Sequence, residues 1–173
     1  MRPRPRLRLS FNVPLAVLLE PDLPAWLLPV AAGAGLSPED LLLELTESTV
    51  VRDTALLRRA LMRLGRAGFR VLLDDLGMDD PRRDLLELPF AGVKLDRSLV
   101  ALLPRERRAR ALVERLVRDS RARGRAVIAE GVTDARIWRA AAGAGCDLAQ
   151  GFGVGRPLPP SALPAWISAW GGG

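Results

Sequence analysis

The chain has no histidine and no tyrosine, a single cysteine (Cys146) and, among 26 Lys and Arg together, a single lysine, Lys94. Each absence removes a class of chemistry. Without histidine there is no Ser-His-Asp or Cys-His nucleophile of the usual kind and no imidazole metal ligand. One cysteine excludes an internal disulfide framework and a cysteine-rich zinc cluster, and it suits a reducing cytoplasm. Within Gly145-Cys146-Asp147, at the start of a predicted strand, Cys146 reads as a small buried residue rather than a nucleophile. Aromatic residues make up only 5% of the chain, and none interleaves with the arginines of 105–125. The net charge of +6 therefore comes without a platform for base stacking, and no nucleic-acid partner is expected. No apolar stretch approaches the roughly 20 residues of a membrane span. The opening Met1-Arg2-Pro3-Arg4-Pro5-Arg6 looks like the start of a secretory signal, but Asn12, Pro14, Glu20 and Asp22 interrupt the apolar stretch after it. Any catalysis must draw on carboxylates, amides, Lys94 and a metal that prefers oxygen ligands.

The remaining composition points to one globular domain. Hydrophobic residues make up 49% of the 173 positions, with 14 Pro and 16 Gly to turn the chain. Apolar runs at 7–12, 41–46, 69–74, 92–95, 126–129 and 147–149 predict strands. Between them lie helical patterns at 15–32 (broken by Pro21, Pro24 and Pro29), 53–67, 83–88, 105–125 and 135–142, with a last helix at 161–170. On the long arginine-rich helix, Glu106/Arg110 and Glu114/Arg118 are spaced to suit a solvated face. Near-continuous apolar strands alternating with helices predict a parallel sheet covered by helices. About six βα units, against the roughly 250 residues of a complete (β/α)8 barrel, predict an incomplete TIM-type β/α barrel or else a complete doubly wound sheet.

The predicted strands share a habit. Each runs apolar and then ends in a residue able to coordinate a cation or move a proton: Asn12, then Glu44 and Glu47, Asp74 and Asp75, Lys94 and Asp96, Glu130, and finally Gln150. One polar residue at a strand terminus is ordinary. A set of them at the carboxyl ends of parallel strands is where α/β folds place their sites. Several carboxylates with an amide oxygen suit Mg²⁺ or Mn²⁺ rather than zinc. Asp74 and Asp75, adjacent in sequence, would repel each other without a cation between them. Two ions about 4 Å apart are suited to phosphodiester cleavage, in which Lys94 would hold the attacking water or neutralise charge on the phosphate. A lone lysine in an arginine-rich chain can be an accident of codon usage, but this neighbourhood argues otherwise.

These residues fall into longer motifs. Glu44-Leu45-Thr46-Glu47-Ser48, Leu73-Asp74-Asp75-Leu76-Gly77, Val93-Lys94-Leu95-Asp96-Arg97-Ser98, Ala129-Glu130-Gly131-Val132, and Ala149-Gln150-Gly151-Phe152 with Arg156-Pro157-Leu158 resemble the successive motifs of EAL-domain cyclic-di-GMP phosphodiesterases. Asn12, after Ser10-Phe11, matches the asparagine of that family's V-N-L-S strand. The resemblance covers roughly residues 9–159 in the family's order. It implies a modified TIM barrel, often dimeric, that hydrolyses cyclic di-GMP to linear pGpG with Mg²⁺ or Mn²⁺. Carried over by position, Asn12, Glu44 and Asp74 would hold one metal and Asp74, Asp75 and Glu130 the second. Lys94 would touch the nucleophilic water, Lys94 and Glu130 would be the catalytic pair, and Gln150 would line the substrate site.

Departures from the pattern qualify this. No E-A-L precedes Asn12, so a glutamate ligand and the substrate-binding arginine beside it are missing from the sequence given. The family's D-F-G-T-G-Y-S-S loop, which couples dimerisation to the site, is here Asp75-Leu76-Gly77-Met78-Asp79-Asp80-Pro81-Arg82. The glutamate that closes A-E-G-V-E and steadies that loop is Thr133. The expectation is an arginine- and proline-rich tail at 1–8 and a partial, N-terminally truncated EAL domain at 9–173. Its activity should be weak or absent, and its open sheet edges would be covered by a homodimer or a partner chain. The alternatives are a non-catalytic module that senses cyclic di-GMP or binds a protein, or a fragment of a longer phosphodiesterase.

Overall fold

The computed structural model describes residues 7–46 and 51–170. Six strands form one sheet in the order β1 to β6, every neighbouring pair parallel. They are β1 (Leu9–Val13), β2 (Leu41–Leu45), β3 (Arg70–Leu76), β4 (Gly92–Leu95), β5 (Ala126–Ala129) and β6 (Leu148–Ala149). Strand order equal to chain order is the winding of a β/α barrel, and the sheet is a curled half-barrel, not a doubly wound sheet. The helices are α1 (Leu15–Leu19), α2 (Leu23–Gly33), α3 (Thr54–Arg66), α4 (Arg97–Leu102), α5 (Arg107–Ala122), α6 (Ala135–Gly143) and α7 (Leu163–Trp170), with 3-10 turns at Pro38–Asp40, Pro81–Glu87 and Pro160–Ala162.

The core lies on one face of the sheet. Leu43, Leu45, Val71, Leu73, Val93, Leu95, Val127 and Ala129 are buried against helices in a single cluster. Alternation along each strand turns their neighbours Glu44, Leu72, Asp74, Lys94 and Ile128 to the opposite, concave face. Helix α3 contributes Leu57, Ala60, Leu61 and Leu64, and α5 contributes Ala109, Val113, Leu116 and Val117. Both sets have the three-and-four spacing of a helix with one buried stripe. At the sheet's two margins Leu9, Phe11 and Leu148 are exposed. Among the described residues no helix is long and apolar enough to cross a membrane.

One helix goes beyond the expectation. The arginine-rich stretch at 105–125 folds as α5, and an additional helix precedes it: Asp96 accepts hydrogen bonds from the Ser98 backbone N–H (2.8 Å) and hydroxyl and so starts α4. Asp96 is a helix cap, with one carboxylate oxygen committed to that cap. Within the 53–67 segment, Asp53 caps α3 by accepting from Leu56 N at 2.8 Å. Glu47 lies outside the described residues.

Cys146 is half-buried against the core just before β6. Burial, reinforced by the neighbouring Asp147 carboxylate, pushes its thiol up to about 11. The thiolate is the reactive form, so at pH 8 the folded protein should react with an aromatic disulfide reagent about 100-fold more slowly than a free thiol. Unfolding in urea should restore the ordinary rate. Rapid labelling of the folded chain would contradict this placement.

Candidate functional site

Lys94, near the carboxyl end of β4, is the hub of the concave face. Its Nζ lies 2.8 Å from Glu44 Oε2 and 3.0 Å from Asp74 Oδ1, and it forms a third ion pair with Glu130 Oε1. These partners come from β2, from β3 and from the residue following β5. In a flat sheet β2 and β4 stand about 9.6 Å apart, so the contact with Glu44 reflects the curl that points the side chains inward. Glu44, Asp74 and Lys94 are each only 5–6% exposed. Burial alone would lower the ammonium's pKa, but pairing with the Glu130, Glu44 and Asp74 carboxylates outweighs it and holds Lys94 above the ordinary lysine value. Arginine's broad planar fork could not sit as a point charge among three carboxylates, which accounts for the one lysine in the chain.

A defect in β3 places the two adjacent aspartates. Leu73 pairs with Val93 and Leu76 with Leu95, so β3 uses one residue more than β4 over the same span. In a regular strand Asp74 and Asp75 would face opposite sides. The bulge brings both to the concave side, with Asp75 at φ +52°, the left-handed region that aspartate tolerates better than most residues. The Asp75 amide donates to Asp74 Oδ1 at 3.0 Å, and the Arg82 guanidinium donates to Asp75 O at 2.8 Å. As a result, Asp74, Asp75 and Glu130 each offer a carboxylate oxygen within 4.8 Å of the other two. Among the described residues Glu130 Oε1 is buried and takes no conventional hydrogen bond; its contact is the Lys94 ammonium.

The other sequence candidates lie further out. Asn12 is exposed and sits in register with Glu44 across the β1–β2 pair. Gln150 is also exposed and lines a separate pocket of about 250 Å³ with Arg156 and Trp166. A larger cleft of about 820 Å³ opens beside Asp75 and includes Gly77, Asp79, Arg82 and Asp96. Thr133 donates to Asp134 at 3.4 Å, and Asp134 caps α6 through the amides of Arg136 and Ile137. Two contributors were missed by sequence reasoning. Ser10 donates to Glu44 Oε1, and its position two residues before Asn12, hence on the same face, was the available signal. Arg82, which holds Asp75, had no such signal.

Comparison with known proteins places this arrangement in context. The family model for the EAL domain matches residues 1–157. MucR of Pseudomonas aeruginosa, a bifunctional diguanylate cyclase/cyclic di-GMP phosphodiesterase, is 32% identical over 134 residues, covering 77% of this chain and 20% of that protein. The chain spans about a fifth of the length of such curated relatives. The EAL domain of Mycobacterium smegmatis DcpA superposes with a TM-score of 0.83 at 30% identity, over 94% of this chain and 73% of that one. Klebsiella pneumoniae BlrP1, solved with manganese and cyclic di-GMP, superposes with a TM-score of 0.79 at 31% identity, over 88% of this chain and 40% of that one.

Proposed function

Since the chain belongs to the EAL domain family, we propose that it acts in cyclic-di-GMP signalling by hydrolysing the cyclic dinucleotide to linear pGpG at the Asp74/Asp75/Glu130 cluster. The observation that carries this reading is the convergence of Glu44, Asp74 and Glu130 on one buried ammonium, with Asp75 brought beside Asp74 and Glu130. Residues 9–173 form the partial domain in this reading, and 1–8 a basic tail.

The donor set fits a hard divalent ion. It is all oxygen and mostly anionic, and Asp74, Asp75 and Glu130 each bring an oxygen within 4.8 Å of the other two, so that small side-chain movements would close them around one ion with ligand bonds of about 2.1 Å. Asp74, Asp75 and Glu130 would hold one Mg²⁺ or Mn²⁺, and Asn12, Glu44 and Asp74 a second. When bound, such a pair stabilises charge on the attacking and leaving oxygens of a phosphodiester. Lys94 orients the attacking water and balances charge growing on the phosphoryl oxygens, while Glu130 takes the water's proton. A water oxygen–phosphorus bond forms as the bond from phosphorus to the ribose oxygen breaks, and that oxygen takes a proton from solvent to leave as a hydroxyl, which linearises the ring. Ser10 and Lys94 together fix both oxygens of Glu44. Gln150 contacts substrate from its neighbouring pocket.

The 173-residue chain on its own turns over slowly in this reading. β1 is an outer strand, so Asn12 stands at the open side of the cluster. A homodimer or partner chain that covers this margin would raise the rate by excluding water and fixing Asn12.

Mn²⁺ titration and product analysis test the reading. The purified chain should bind Mn²⁺ saturably, Asp74→Asn should weaken binding by about 100-fold, and pGpG formation should run at least about 100-fold below that of a complete EAL domain. Absence of Mn²⁺ binding would overturn the cation site. Turnover equal to a complete domain would overturn the impairment.

A further inference from the structure

Away from the acidic cluster, the chain carries a groove lined by arginine. It lies between the Pro81–Glu87 turn and α5, encloses about 380 Å³, and is lined by Arg83, Arg108, Arg115 and Arg118 around Met78 and Leu112. No carboxylate lines it. On the exposed rim Asp79 pairs with Arg108 at 2.9 Å, and Glu87 and Asp119 line an adjoining pocket with Arg83 and Arg115. The helix repeat explains the stripe. Arg108, Arg115 and Arg118 fall on one exposed face of α5, whereas Ala109, Val113, Leu116 and Val117 turn to the core. The stripe is therefore dispensable for packing α5. Glu114 and Asp119 stand one turn from Arg118 and Arg115 and would temper the charge. Arg83 faces the stripe from the turn. Its guanidinium makes only a long 3.4 Å bond to Gly77 O, and its Nε is buried with no hydrogen-bond partner among the described residues.

We infer that this groove is an anion site for a ligand bearing linked phosphates, distinct from the acidic cluster. Arg115 and Arg118 are about 4.5 Å apart along the helix axis, and Arg108 lies about 10 Å further back. That spacing suits two or three connected phosphate groups better than one. Planar guanidinium forks pair with phosphate oxygens in bidentate fashion. The apolar floor of Met78 and Leu112 would accept the non-phosphate part of such a ligand. A buried donor lacking a partner is costly to leave unmade, and a phosphate at Arg83 would satisfy it.

Calorimetric titration with sodium tripolyphosphate, in EDTA and at fixed ionic strength, tests the site. Saturable binding of one anion per chain is expected, with sulfate at least about 10-fold weaker. Arg83→Gln combined with Arg115→Gln should weaken it about 10-fold or more, whereas Asp74→Asn should not affect it. If the double variant does not fold, Arg108→Gln with Arg118→Gln, both on the exposed face, should still weaken binding about 5-fold. Three results would overturn the assignment: no saturable heat, equal binding of sulfate, or binding indifferent to these arginines. Tighter binding of a polyglutamate peptide at the same arginines would also overturn it and assign the groove to an acidic protein partner.

Discussion

Replacing Lys94 by methionine is expected to destabilise the chain by about 3–5 kcal/mol in chelator, and Mn²⁺ is expected to return a large part of that loss. The substitution keeps the length of the side chain and removes its charge. Glu44, Asp74 and Glu130 then share a buried pocket with no counter-charge, the situation in which breaking a buried ion pair costs most. For a domain of this size the loss corresponds to a fall of roughly 6–20 °C in the unfolding midpoint. A divalent cation replaces the missing positive charge, so Mn²⁺ should raise the midpoint of the variant more than that of the wild type. The effect has a defined pH dependence. The folded value of Lys94 is raised, so its contribution is complete below the ordinary lysine value of about 10.4 and is lost as pH rises beyond it. The gap between variant and wild type should accordingly be constant through neutral pH and narrow under strong alkali. A variant as stable as wild type in EDTA would show that the three ion pairs add nothing net.

Gly151→Ala is the second large effect, expected to cost about 3 kcal/mol or more. Gly151 has φ +149°, and a Cβ added there would lie 2.4 Å from Val132 O and 2.5 Å from Val132 N. Both are backbone atoms in use: Val132 N donates to Gln150 O at 3.0 Å and Gly153 N donates to Val132 O at 2.8 Å. No side chain can swing aside to relieve the contact, so the strap between the 130–132 and 150–153 segments has to open. Urea unfolding measures the loss, and a midpoint shift equivalent to less than about 1 kcal/mol would contradict the close approach. Because this strap positions the segment just after Glu130, Mn²⁺ affinity should fall along with stability.

The sequence made some of this legible and hid the rest. Six apolar runs separated by helical patterns announced the sheet, and their polar termini announced Glu44, Asp74, Lys94 and Glu130 as neighbours. Those inferences rest on alternation and on strand polarity, which a parallel sheet enforces. The bulge was not legible, because Leu-Leu-Asp-Asp-Leu carries no glycine or other mark of an extra residue. Helix α4 was hidden because Asp96 was read as a site carboxylate, although Ser98 two residues later is the kind of partner a capping aspartate uses. The exposure of Asn12 and Gln150 depends on which strands lie at the margins of the sheet, and that is settled by pairing rather than by local pattern.

The irregularity in β3 also separates what the architecture requires from what the chemistry requires. Leu73, Asp74 and Leu76 already match Val93, Lys94 and Leu95 in inward and outward order, so a chain lacking Asp75 would form an unbroken ladder there. Asp75 is a surplus letter in the strand, tolerated at a backbone angle few residues adopt. A one-codon deletion at this position should yield a tidier and no less stable sheet that has lost an oxygen donor from its cluster, which makes Asp75 the residue where selection for folding and selection for function pull in opposite directions.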